Sequence, residues 1–152
     1  MLELIKELCL LPGISGRENA VRDYIINQIK DYAEYSVDPL GNLLVFKKGK
    51  NPAKNKVMLD AHMDEVGFIV SAITSDGFLR FVKAGGIDSR VVLGRTVKVG
   101  DKAVGGVIGI KPVHLVDKKS EADIPKIDDL YIDIGAKSKE EAMEYVRLGD
   151  SV

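Results

Sequence analysis

The sequence predicts an α/β protein in two parts, a mixed α/β segment over residues 1–66 and a compact β unit over 67–148. Three observations carry this. Apolar residues recur at helical spacing in the first third of the chain. The period changes at Asp38-Pro39-Leu40-Gly41-Asn42. From Val66 onward, short apolar runs are broken by glycine turns at close intervals.

Leu2, Ile5, Leu8 and Cys9 lie on one face of a first helix, which Pro12-Gly13 ends. Cys9 on that face reads as a buried small residue. Ser15-Gly16-Arg17-Glu18 has the form of a capping box, with serine and glutamate three apart. Val21, Tyr24, Ile25, Ile29 and Tyr32 then mark the apolar face of a second helix reaching Ala33. After the turn at Asp38, residues 43–46 read as a strand. Residues 47–56 are a polar loop with Pro52 and five lysines. Val57-Met58-Leu59 reads as a short buried strand that ends at Asp60-Ala61-His62.

In the β unit, residues 66–74 and 78–82 flank Ser75-Asp76-Gly77, a hairpin signal. Further short strands are expected around Val91-Val92, 96–99, 107–110 and 130–134. Gly85-Gly86, Gly94, Gly100-Asp101 and Gly105-Gly106 are the punctuation between them. Residues 111–126 read as a loop. Ser138-Lys139-Glu140-Glu141 is a second capping box, opening a helix to Arg147. Strands this short and turns this frequent point to a small barrel or sandwich. The first part has too few strands and helices to build a parallel sheet covered on both faces. It therefore reads as a piece of a larger domain, with Gly149-Asp150-Ser151-Val152 beginning the return to it.

The 22 basic and 23 acidic residues leave a net charge of -1, with no basic excess to meet a nucleic acid. One cysteine among 152 residues permits no internal disulfide and fits a reducing compartment. Glu3 and Glu7 interrupt the apolar N-terminus, unlike a secretory signal. No apolar run is long enough to cross a membrane. The expectation is a cytoplasmic protein without a nucleic-acid or membrane partner.

The sharpest chemical feature is Leu59-Asp60-Ala61-His62-Met63-Asp64-Glu65. On an extended backbone His62 and Asp64 point to the same side. An imidazole with a carboxylate on its other nitrogen is a metal-ligand arrangement. From the spacing alone, a structural histidine is the better-supported reading. A catalytic zinc needs about three protein ligands, and the chain has two histidines. The other, His114, reads as a hydrogen-bonded structural residue. Asp60, Glu65 and Asp88 read as capping or turn residues. The glycine-rich segments lack the residues of a P-loop or a dinucleotide fold, and no serine has the context of a nucleophile elbow.

Five segments in order resemble the start of a peptidase family M42 protein, the cytosolic glutamyl and related aminopeptidases of the TET type. They are Pro12-Gly13-Ile14-Ser15-Gly16 with Glu18, then Asp38-Pro39-Leu40-Gly41-Asn42-Leu43, then Leu59-Asp60-Ala61-His62-Met63-Asp64-Glu65-Val66-Gly67-Phe68. Gly109-Ile110-Lys111-Pro112-Val113-His114-Leu115 and Asp129-Leu130-Tyr131-Ile132-Asp133-Ile134-Gly135-Ala136 complete the set. The resemblance implies a partial three-layer αβα aminopeptidase domain followed by an inserted small β-barrel domain that serves dimerisation and larger assembly. It implies a dinuclear metallopeptidase using zinc or cobalt, in which His62 binds one metal and Asp64, part of the catalytic machinery, orients it. The remaining ligands and the glutamate general base fall in a C-terminal half outside these residues. The resemblance thus implies peptide hydrolysis by the complete protein, with this chain an inactive fragment holding an incomplete metal site. A non-catalytic assembly module is the alternative, and a small metalloenzyme formed across a subunit interface ranks last. Some family members carry an endoglucanase label, but glycoside hydrolysis needs two facing carboxyl groups, and the sequence offers no such pair. Uncovered apolar faces predict self-association or poor solubility for these residues alone.

Overall fold

The computed structural model describes residues 1–51, 54–111 and 125–152. His114 and most of the predicted 111–126 loop lie outside the described residues. The chain divides into two compact units, Met1–Glu65 and Val66–Val152.

The first unit opens with α1, Leu2–Cys9, and α2, Asn19–Ile29. The Tyr24 hydroxyl donates to the Glu7 carboxylate and ties the two helices together. Cys9 is exposed rather than buried, on a helix none of whose residues is buried. The predicted capping box at Ser15 does not form. Glu18 occupies the N-cap without a side-chain cap, and its carboxylate instead accepts from the Gly16 N–H at 2.6 Å. Gly16 has φ +85, a left-handed turn that glycine adopts at little cost. This turn carries Ser15 away from the helix end.

The strands β1, Glu34–Val37, and β2, Leu43–Phe46, form an antiparallel hairpin from Glu34↔Phe46 to Val37↔Leu43. The Asp38 carboxylate closes it by accepting from the Leu40 and Asn42 amides, both at 2.9 Å. Asn42 and these amides hold the Asp38 carboxyl below its ordinary value. Val57-Met58-Leu59 is not the buried strand its apolar character suggests. All three are at least 86% exposed and pair with nothing among the described residues. A strand needs a ladder partner to be stable, and the neighbouring sheet here is the β1–β2 hairpin alone. The first unit is therefore α/β in content, with an antiparallel hairpin in place of a layered parallel sheet.

The second unit holds a curled five-stranded antiparallel sheet in the order β3-β4-β7-β6-β5. Its strands are β3, Gly67–Ile73; β4, Leu79–Ala84; β5, Thr96–Val99; β6, Val104–Ile110; and β7, Leu130–Asp133. The β3–β4 hairpin turns where the sequence predicts. The Thr74 amide donates to the Phe78 carbonyl at 2.9 Å, and Gly77 has φ +85. A Cβ on Gly77 would stand 2.7 Å from the Ala136 carbonyl oxygen, so both the dihedral and the space exclude a side chain there.

The central strand β7 places Ile132 opposite Leu79 on β4 and Ile108 on β6. These three, with Val70, Val99 and Leu130, are almost completely shielded from solvent and form the core. Phe68 and Phe81 meet edge to face beside them, with ring centroids 4.7 Å apart. Gly105 and Gly106 lie inside β6 rather than in a turn. Gly106 sits where a Cβ would be 2.7 Å from Ile132 Cγ2, so the missing side chain makes room for the core isoleucine. The strand expected at Val91-Val92 is a 3-10 turn, Ser89–Val91. Asp88 caps it by accepting from the Arg90 amide, and the Arg90 guanidinium lowers the Asp88 carboxyl to about 2.

The third helix, α3, is Lys139–Tyr145. The Ser138 hydroxyl accepts from the Glu141 amide at 3.2 Å, as a cap should. Residues 149–152 then run antiparallel along β3. Phe68 and Val152 exchange two backbone hydrogen bonds, at 3.0 and 2.8 Å, and Val70 bonds both Gly149 and Asp150. The Gly100 amide, just beyond β5, donates to the Ser151 carbonyl at 2.8 Å. One segment thus binds to β3 and to the end of β5, the two edges of the sheet. Among the described residues, no helix is long and apolar enough to cross a membrane.

Candidate functional site

His62 and Asp64 lie on the irregular segment that leads out of the first unit. Two contacts fix that segment against the loop after α1. The Glu65 amide donates to the Gly13 carbonyl at 2.7 Å, and the Gly13 amide donates to Glu65 Oε1 at 3.1 Å. A parallel bridge joins Ile14 to Glu65. Gly13 permits this approach, since a Cβ there would meet Val21 Cγ2 at 2.9 Å and the Met63 carbonyl at 3.3 Å. Glu65, read from the sequence as a capping or turn residue, serves as a clip.

The clip brings Ser15 to Asp64. The Ser15 hydroxyl donates to Asp64 Oδ2. Asp64 Oδ1 lies 2.9 Å from His62 Nδ1, and the Asp64 carbonyl oxygen lies 2.9 Å from the same nitrogen. A carbonyl oxygen can only accept, so Nδ1 carries the proton. The Nε2 lone pair is thereby left free, in an imidazole whose side chain is 85% exposed. The Ser15 hydroxyl, and after it the His62 ring, hold the Asp64 carboxyl below the usual carboxylate range.

His62 and Asp64 border an open cleft of about 1060 Å³, lined also by Tyr35, Leu40, Leu44 and Asp60. The donor chemistry fits a divalent ion. One imidazole nitrogen is free, and the other is held by a carboxylate, the arrangement that fixes ligating histidines. Among the described residues, no three histidine, cysteine, aspartate or glutamate side chains converge as a metal-binding group. The sequence pointed to His62 and Asp64 but missed Ser15, whose spacing to Glu18 suggested a local cap. The partner of Ser15 lies 49 residues away, and no local pattern signals it.

The chain is 37% identical to the lysyl aminopeptidase of Pyrococcus furiosus over 149 residues, covering 93% of this chain and 42% of that protein. Its structure superposes on the TET1 peptidase of Pyrococcus horikoshii, described as assembling into a tetrahedron or a large octahedral shell. The TM-score is 0.84 at 44% identity, over 99% of this chain and 46% of that one. A Thermotoga maritima structure described as an endoglucanase matches with TM-score 0.81 and 40% identity, over 96% of this chain and 42% of its own. The chain thus spans less than half the length of each of these relatives. The family model of the M42 glutamyl aminopeptidases matches residues 41–152, a stretch that holds His62, Asp64 and the whole second unit. With both the site segment and the sheet accounted for, the chain belongs to the M42 glutamyl aminopeptidase family.

Proposed function

We propose that the complete polypeptide carrying this chain is a metal-dependent aminopeptidase, releasing residues from the N-termini of peptides. His62 binds one of two divalent ions, zinc or cobalt, and Asp64 orients it. The observation that carries this reading is the His62–Asp64 pair, with Nδ1 held and Nε2 free, in a chain of this family. When bound, the ions supply Lewis acidity and an acidified water. The chain's own part is to present Nε2 in a fixed tautomer and to keep a negative charge behind the ring. One ligand cannot make a site that needs about three, so residues 1–152 alone are inactive. The complete polypeptide, treated with a chelator, should lose hydrolysis of N-terminal residues from unblocked peptides and regain it with zinc or cobalt. Full turnover in the presence of chelator would contradict the proposal.

Peptide rather than glycoside hydrolysis is favoured because both Asp64 oxygens are committed, one to Ser15 and one to His62. Asp64 therefore does not stand free to serve as one of two facing acids. The second unit is the inserted β-barrel domain, which mediates homo-oligomerisation in the cytoplasm. The likeness to the P. horikoshii TET1 peptidase supports this. Light scattering of the chain should show oligomers that persist in His62→Ala. A monomer at high concentration would remove the assembly role from these residues.

A further inference from the structure

We propose that Ser15 is a positioning residue that, through the Asp64 carboxylate, reinforces the Nδ1–H tautomer of His62. The proposal rests on reading His62 as a metal ligand, and it extends the site to a residue on another segment.

The geometry forms a chain of three groups. Ser15 Oγ donates to Asp64 Oδ2, and Asp64 Oδ1 accepts from His62 Nδ1 at 2.9 Å. The Asp64 side chain is 39% exposed, so water competes for its oxygens and packing alone does not hold its rotamer. Ser15 supplies the missing restraint. With Oδ2 anchored, the carboxylate plane is fixed and Oδ1 faces the imidazole. Without that anchor the carboxylate can turn to solvent, leaving His62 Nδ1 with the Asp64 carbonyl alone, also at 2.9 Å. The backbone around Ser15 is built for this reach. Gly16 turns at φ +85, the Gly16 amide is held by Glu18, and the Gly13–Glu65 clip pins the two segments together. A serine spent on its own helix end could not make the contact, and Glu18 stands at the N-cap with no side-chain cap of its own.

The consequence concerns which nitrogen is offered to an ion. A neutral imidazole carries its proton on one nitrogen only. The Nδ1–H form presents Nε2, and the opposite tautomer withdraws it. The Asp64 carbonyl already favours the form that can bind, and Ser15 adds to that bias by holding Oδ1 on Nδ1, without touching the ion.

The test reads the tautomer in the metal-free 152-residue chain, by long-range proton–nitrogen NMR of labelled histidine above the range where imidazole protonates. His62→Gln assigns the signals. Wild type should show mainly the Nδ1–H form. Ser15→Ala should lower the ratio of Nδ1–H to Nε2–H by roughly fivefold, the effect of one ordinary hydrogen bond. Ser15→Thr, which keeps the hydroxyl, should restore it. Glu65→Ala loosens the clip but leaves the hydroxyl in place, and should move the ratio less than Ser15→Ala does. An unchanged ratio in Ser15→Ala would overturn the proposal. So would equal shifts in Ser15→Ala, Ser15→Thr and Glu65→Ala, which would mark a loosened loop. Because no metal is present, this outcome is independent of the chelation experiment that tests the aminopeptidase reading.

Discussion

His62→Ala in the complete polypeptide should reduce peptide turnover by more than about 100-fold. Loss of an outer partner of a ligating histidine typically costs 10–100-fold, and removal of the ligand itself should exceed that. The structure makes the variant clean to interpret. The imidazole is 85% exposed and contributes nothing to a packed core, so its removal should leave the fold intact. Circular dichroism and the unfolding midpoint should therefore match wild type while turnover collapses. Asp64→Asn should fall between the two, because an amide oxygen can still accept from Nδ1 but brings no charge. Wild-type turnover in His62→Ala, measured with added metal, would remove this residue from the site. The family membership would be untouched.

The largest expected effect on stability is that of Ile132→Ala. This side chain is fully shielded on the central strand, facing Leu79 on one neighbour and Ile108 on the other. Deleting its outer carbons removes buried apolar contact and leaves a cavity that the surrounding sheet cannot easily close. Such changes cost about 2–5 kcal/mol. A small domain has only about 5–15 kcal/mol in total, so the second unit should lose a large share of its stability. Urea unfolding followed by amide NMR of residues in β4 and β6 should show the midpoint fall. Val107→Ala, on the neighbouring strand but 46% exposed, is the control and should change it little. Equal midpoints for the two variants would mean that Ile132 is not the centre of the core.

Much of this arrangement was legible in the sequence where a local rule decides the outcome. Gly77 needs a left-handed dihedral and marks its hairpin. Ser138 meets an acceptor requirement three residues ahead and opens α3. His62 and Asp64 share a side because extended backbone alternates. The readings that failed depended on distant partners. Ser15 looked like a helix cap because Glu18 stands three residues on, but the carboxylate of Asp64 takes its hydroxyl instead. Gly105 and Gly106 looked like a turn until Ile132, from another strand, was found filling the space above Gly106. β1 was missed because Glu34-Tyr35-Ser36-Val37 is exposed along its length and has no buried face to imprint a pattern. Val57-Met58-Leu59 carries the composition of a strand with no ladder beside it, so composition alone could not tell which state it takes. The division into two parts came from the change of period, but what the parts are came from a resemblance spread over five segments, which periodicity does not supply.

The pairing of 149–152 with β3 also bears on how the second unit is made. Phe68 and Val152, which exchange two hydrogen bonds, come from opposite ends of that unit. Synthesis therefore leaves β3 without this partner until residues 149–152 emerge. The contact closes a loop almost as long as the unit itself, and contacts so distant in sequence slow folding. Until then β3 is an unpaired edge, open to strands of other chains. The interval between making β3 and making Val152 is the period in which a nascent copy is most exposed to mispairing, and a pause in translation within 74–148 would lengthen it.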